Sequence, residues 1–167
     1  MIVIIGLLFI LFRILFLTSL PIVNDEAIYL HWGNDFLRFW SDPRMPLSLQ
    51  GKQALTAISL GLIQRLPIDP LIAGRMVTIF FSCVTFLGIA WISTQLVSKK
   101  TKNITLLLLA TSPLLLFFDR LAIPDSIVAA AYTMAMALTV ALIEKPKILT
   151  TVTLGIVIAL GWWYKST

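Results

Sequence analysis

Carboxylates that border long apolar runs are the residues of this chain best suited to chemistry. Asp25 and Glu26 follow an apolar run at the amino terminus, and Asp119 and Asp125 lie between two further runs. At membrane depth an unpaired charge costs roughly 2.5–3.5 kcal/mol even on a lenient insertion scale. A charge kept there usually has a partner or a function, and a carboxylate can serve as a general base or a metal ligand.

These acidic residues also have simpler structural explanations. The positive end of a helix favours carboxylates in its first turn, which accounts for Asp25, Glu26 and Asp125 without any function. Asp119 and the adjacent Arg120 could simply form an ion pair with each other at the membrane surface, without any further function. Two acidic segments on one side of a membrane favour a site instead, with Asp25 and Asp125 as the predicted catalytic residues.

Basic residues near these segments could hold an anionic substrate. Lys52 precedes an amphipathic segment, and Arg75 lies one turn into a long apolar run, where a lone arginine more often extends to the interface. Cations beside carboxylates suit a reaction on a lipid phosphate. The predicted substrate-binding residues are Glu26, Lys52, Arg75 and Arg120.

A metal site has weak support in the sequence. His31 is the only histidine and shares a helix face with Asp35 at a spacing of four residues. An ordinary interfacial histidine explains it better, so Asp25 and His31 are weak metal candidates. No cofactor is certain, with a divalent metal ion as the one candidate. Glycine loops for phosphate, nucleophilic-serine motifs and paired cysteines are absent from the sequence.

The composition is that of an integral membrane protein. Of 167 residues, 59% are hydrophobic and 13% are charged, which is too apolar for a water-soluble domain. The formal net charge of +5 is spread between apolar segments and forms no basic tract, so nucleic acid is not an expected partner. Cys83 is the only cysteine and is predicted to be a buried filler.

The fold class predicted from this pattern is all-α, a polytopic protein of about five transmembrane helices in one membrane domain. The first run is longer than the core of a secretory signal and precedes no small-residue cleavage site, so a retained span is favoured over a signal peptide. The third, fourth and fifth runs are short for a bilayer. The predicted spans are 1–20, 71–97, 104–118, 127–143 and 148–164.

The lysine-rich loops SKKTKN and EKPK predict the orientation. Short lysine-rich loops stay in the cytoplasm, which puts the amino terminus inside, in the inner or plasma membrane. The extracytoplasmic loop 24–70 and the turn FDRLAIPD then face outward. Two amphipathic helices are expected in that loop, one with Ile28, Trp32 and Phe36 on its apolar stripe, the other with Leu62 and Leu66.

The chain resembles the polytopic glycosyltransferases of the GT-C fold, namely the bacterial relatives of protein O-mannosyltransferases and lipid A aminoarabinose transferases. The matching landmarks cover nearly the whole chain and keep their order. They are NDEAIYLHWGNDF, PLSLQGKQAL, DPLIAGRMVTIFFSCVTFLGI, FDRLAIPDSIVAA and the lysine near the membrane surface in WYKST.

The resemblance implies inverting transfer of a sugar from a polyprenyl-phosphate donor to a lipid, glycan or protein acceptor at the outer face of the membrane. It gives Asp25 the principal functional role, Asp125 the second acidic position, and Lys52 and Arg75 roles with the donor phosphate. Gly51 stands where the aminoarabinose branch has an acidic metal ligand, so that metal site is not carried over.

Family members have many more spans, which predicts that this chain is an amino-terminal portion that could be inactive alone. Two alternatives remain at this point. A small polytopic transporter would place ionisable residues along a path through the membrane, and a non-catalytic scaffold would need no outer carboxylates.

Overall fold

Every regular element that the structure describes is an α-helix. The computed structural model describes residues 1–39 and 54–165, and within these ranges no strand occurs. The helices are α1 (Ile2–Ile14), α2 (Asn24–Phe39), α3 (Ala54–Ile63), α4 (Pro70–Leu96), α5 (Lys99–Thr111), α6 (Pro113–Phe118), α7 (Asp125–Glu144) and α8 (Ile148–Tyr164). The all-α prediction is therefore confirmed.

Two helices are long and apolar enough to cross a membrane. They are α4 and α7, each with a mean hydropathy of 2.0 over its most apolar window, of which only 39% and 22% is buried. Large apolar side chains such as Phe80, Leu87 and Met136 are exposed, whereas a core helix of a soluble protein would cover them. This surface suggests membrane association. The sequence placed both helices correctly to within two residues.

The first apolar run is helical over a shorter stretch than predicted. Helix α1 has 13 residues, about 20 Å at 1.5 Å per residue, against about 30 Å of bilayer core. The chain leaves the helix at Leu15 and passes through Phe16, whose φ of 55° is in the left-handed region that L-residues rarely adopt. A hydropathy pattern cannot locate this turn, because Leu15 and Phe16 are as apolar as the helix before them.

The third apolar run is divided by a proline. Helix α5 ends at Thr111, Ser112 is extended (φ −60°, ψ 118°), and Pro113 starts α6. The residue before a proline is forced out of the helical region, and proline is well accommodated in a first helical turn. The prediction of 104–118 as one span thus corresponds to two shorter helices, and α8 matches its predicted range.

Helix packing forms two groups that meet near the turn between α6 and α7. Helix α7 packs between α4 and α8, and α1 packs on α5 and α4. Phe9 and Phe86 stack at 4.7 Å between ring centroids in the core of the second group, with Leu106 and Ala110 around them. Cys83 packs against this core and is a free thiol.

Helices α2 and α3 pair with each other through small residues. Trp32 of α2 packs on Ala57 of α3. A Cβ added to Gly61 would lie 2.6 Å from the Gly33 carbonyl oxygen, so the two backbones approach as closely as glycine allows. Leu62 of the predicted apolar stripe is exposed, while the opposite face, which carries Thr56, Ala57, Leu60 and Gly61, is buried.

Candidate functional site

A carboxylate and a lysine that are 40 residues apart in the chain meet where α7 begins and α8 ends. Asp125 lies in the first turn of α7, and the Lys165 ammonium donates to its Oδ1 at 2.9 Å. No side chain caps the start of α7. Asp125 lies in the first turn, where the helix dipole favours a carboxylate, and it is also engaged in this ion pair. The Thr56 hydroxyl donates to the Tyr164 carbonyl at 2.9 Å and ties α3 to the same end of α8.

Asp25 and Tyr29 complete this cluster from α2. They are one helical turn apart and so share a face. Besides burial, the charges of Lys165, Asp125 and Asp25 influence the pKa of Tyr29, in that order. We call Asp25, Tyr29, Asp125 and Lys165 the outer cluster. Its two carboxylates are the two residues that the sequence predicted to be catalytic.

Tyr29 and Lys165 of the outer cluster are both held in their protonated forms, a phenol and an ammonium. Burial, with the charges of Asp125 and Asp25 adding to it, raises the pKa of Tyr29 and keeps its hydroxyl a hydrogen-bond donor. The hydrogen bond to Asp125 raises the pKa of Lys165, and the charges of Asp125, Tyr29 and Asp25 add to that effect against the opposing effect of burial. The Lys165 ammonium therefore remains charged at neutral pH beside Asp125.

The raised pKa of Lys165 predicts a stability contribution that is lost in alkali. Because the pKa is higher in the folded state, the contribution is complete below the unfolded value of about 10.4 and disappears as the pH rises through the folded value. The fall in melting temperature between pH 9.5 and 11.5 should be smaller in Lys165→Met than in the parent, measured by circular dichroism. Lys147→Met, which removes an exposed lysine, is the matched control. An equal fall in melting temperature in Lys165→Met and the parent would show that the ion pair between Lys165 and Asp125 does not stabilise the fold.

Glu26 and Arg75, both predicted to bind substrate, lie instead in a fully buried ion pair. The Arg75 Nε and Nη2 atoms donate to the two oxygens of Glu26, each at 2.8 Å, and neither side chain has exposed surface. The guanidinium also donates to carbonyls of the chain that leaves α1, those of Leu17, Leu20 and Pro21. The expectation that Arg75 extends to the interface is wrong, because its guanidinium is fully buried among groups of the protein.

Glu26 also joins the two acidic segments. Its Oε1 accepts a hydrogen bond at 2.8 Å from the backbone amide of Ala122, in the turn that precedes Asp125. Glu26 is the neighbour of Asp25 in the chain, so this contact restrains the distance between the segments that carry the two cluster carboxylates. The arrangement suits a positioning role for Glu26 and Arg75 rather than contact with a substrate.

A second buried ion pair holds the same turn from α1. Arg13 is fully buried, and its Nη2 lies 2.7 Å from Asp119 Oδ2, while the Ser126 hydroxyl donates to Asp119 Oδ1 at 2.8 Å. The predicted pairing of Asp119 with the adjacent Arg120 is therefore wrong. Arg13 of α1 is thereby held against the turn that follows α6.

Arg120 and His31 have partners other than the four residues of the outer cluster. Arg120 donates to backbone carbonyls of the turn after α1. His31 is exposed and has its Nε2 3.4 Å from Asp35 Oδ2, and no group of three metal-ligating side chains occurs in the part of the chain that the structure describes. Lys52 lies outside the described residues.

An apolar cavity of about 280 Å³ opens beside the outer cluster. It runs between α4, α7 and α8 and ends at Tyr164, which precedes Lys165 in the chain. Its walls offer almost no polar group, and they include Phe81, Ile127, Met134 and Leu160. The charged cluster and the apolar cavity together suit an amphiphilic ligand, with its head at the cluster and its apolar chain in the cavity.

Comparison of the chain with protein-family models, with curated proteins and with solved structures finds no match. The geometry of the described residues is therefore what supports a function.

Two members of the outer cluster were not among the predicted site residues. Tyr29 is four residues after Asp25 in a segment predicted to be helical, and this spacing could have identified it. Lys165 was noted only as a landmark of the family resemblance. Its contact with Asp125 spans 40 residues, a separation at which sequence spacing gives no signal.

Proposed function

We propose that the chain belongs to a GT-C glycosyltransferase that transfers a sugar from a polyprenyl-phosphate donor at the outer face of the membrane. One observation carries the proposal. Lys165 pairs with Asp125 at 2.9 Å, and Glu26, the neighbour of Asp25, accepts a hydrogen bond at 2.8 Å from the Ala122 amide in the turn before Asp125. Carboxylates, a phenol and an ammonium beside an apolar cavity suit chemistry on a lipid phosphate.

The proposed roles follow from exposure and charge. Asp25 is exposed and can act as the base that receives a proton from the acceptor hydroxyl. Lys165 carries the positive charge for the departing phosphate, and Asp125 holds Lys165 in place. The apolar cavity would take the part of the lipid chain nearest the phosphate.

The proposed reaction is an inverting displacement that these residues can balance. The acceptor oxygen forms a bond to the anomeric carbon while the bond from that carbon to the phosphate oxygen breaks. The acceptor proton goes to Asp25, and the bonding electron pair leaves with the lipid phosphate beside Lys165. A divalent metal is not required by this scheme.

We also propose the membrane arrangement that the enzyme needs, a multi-pass chain in the inner or plasma membrane with a cytoplasmic amino terminus. Two helices of sufficient length and a largely apolar exposed surface support it. The outer cluster and the loop 24–70 would then lie on the outer side, opposite the lysines that begin α5.

Sugar transfer in membranes that carry the complete gene product tests the proposal. A radiolabelled polyprenyl-phosphate sugar should be consumed by the parent, and Asp125→Asn should lower the rate by about tenfold, the effect of one charge-assisted hydrogen bond. Asp35→Asn removes a carboxylate of α2 that pairs with His31 and should leave the rate unchanged. Absence of donor consumption by the parent would overturn the enzyme assignment and favour a transporter or scaffold.

A further inference from the structure

Arg120 is a cation without an anionic partner in the described part of the chain. One of its terminal nitrogens, Nη2, donates to the carbonyls of Leu15 and Phe16, the first at 2.8 Å. Its Nε is buried and has no acceptor among the described residues. Backbone carbonyls carry only partial charges, so these contacts orient the guanidinium but leave its positive charge uncompensated.

The carboxylates that could neutralise Arg120 are already committed. Asp119, its neighbour in the chain, is held by Arg13 and Ser126, and Glu26 is held by Arg75. Burial lowers the pKa of Arg120, and the only charged group that adds to this shift is a second cation, Arg75. An arginine in this setting gains from any anion that reaches it.

Beside Arg120 an apolar groove of about 450 Å³ runs between α1, α5 and α6. Apart from Arg120 it is lined by Phe12, Leu15, Phe16, Thr111 and Leu116. The turn that places Phe16 at a positive φ leaves its ring exposed at this groove. None of the four residues of the outer cluster lines the groove.

We propose that Arg120 and this groove bind an anionic membrane phospholipid, with the phosphate on the guanidinium and an acyl chain along the groove. Charge complementarity selects the anionic head, because a zwitterionic head brings its own cation to a groove whose one charged lining residue is the cation Arg120. The apolar lining selects a lipid rather than a free phosphate. This site is separate from the outer cluster and does not depend on sugar transfer.

Native mass spectrometry of the chain released from nanodiscs of equal parts phosphatidylcholine and phosphatidylglycerol tests the proposal. The parent should retain phosphatidylglycerol in preference to phosphatidylcholine. Arg120→Gln should retain about tenfold less phosphatidylglycerol, as expected for the loss of a charge-assisted contact. Arg65→Gln removes an exposed arginine outside the groove and is the matched control.

A second variant separates lipid binding from effects on folding. Leu116→Trp keeps Arg120 and fills the groove, so it should lose retained phosphatidylglycerol while the helical signal in circular dichroism stays that of the parent. Inorganic phosphate added at millimolar concentration should not displace the lipid from the parent. Equal retention of both lipids by the parent would overturn the proposal, as would parental retention in Leu116→Trp or displacement by phosphate.

Discussion

Replacing Arg75 with methionine should lower the free energy of unfolding by roughly 3–5 kcal/mol, the cost of leaving a buried charge unpaired. Glu26 would lose two hydrogen bonds of 2.8 Å in a place without exposed surface. The carbonyls of Leu17 and Leu20 would lose their donor as well. The measurement is the loss of helical signal during titration of the detergent-solubilised chain with dodecyl sulfate.

The double variant Arg75→Met/Glu26→Leu distinguishes a broken ion pair from a general packing defect. Removing both charges leaves no buried carboxylate unpaired, so much of the lost stability should return. Arg65→Met, at an exposed arginine, should change stability by no more than about 0.5 kcal/mol. A stability of Arg75→Met equal to that of the parent would mean that the pair contributes nothing to the fold.

Replacing Asp25 with asparagine should lower the rate of sugar transfer by about 10²–10⁴-fold, the usual contribution of a general base. The change keeps the size of an exposed side chain, so stability should be nearly unaffected. The measurement is the initial rate of transfer from a labelled polyprenyl-phosphate sugar in membranes carrying the complete gene product.

A structural role for Asp25 would give a different result. Asp25→Glu keeps a carboxylate and should recover part of the rate, whereas a purely structural residue would give equal rates for Asp25→Glu and Asp25→Asn. Donor binding by Asp25→Asn can be measured as the amount of labelled lipid that the purified chain retains. It should stay within about threefold of the parent, because the base acts on the acceptor. Full transfer by Asp25→Asn would remove Asp25 from the mechanism.

The sequence predicted the positions of the helices better than it predicted which side chains contact one another. Hydropathy located α4, α7 and α8 almost to the residue, because each is a long apolar run with polar or proline boundaries. The sequence also selected Asp25 and Asp125, whose segments are joined by the hydrogen bond from the Ala122 amide to Glu26. The other two residues of the outer cluster, Tyr29 and Lys165, needed the three-dimensional arrangement of α2, α7 and α8.

Buried charges were the least predictable feature. An arginine near a helix end usually extends its head to the interface, and that rule failed for Arg75. Its carboxylate partner lies 49 residues away in the chain, and the partner of Arg13 lies 106 residues away. Pairings at such separations depend on how helices cross, which no local pattern records.

The pairing of Arg13 with Asp119 also has a consequence during synthesis. At about 5–20 residues per second, the ribosome would need roughly five to twenty seconds to make the 106 residues that separate them. For that time α1 carries a charge without its carboxylate, in a segment otherwise suited to lipid. In the proposed membrane arrangement, a newborn chain would have to keep this arginine near water, or against the insertion machinery, until the turn after α6 was made and could pair with it.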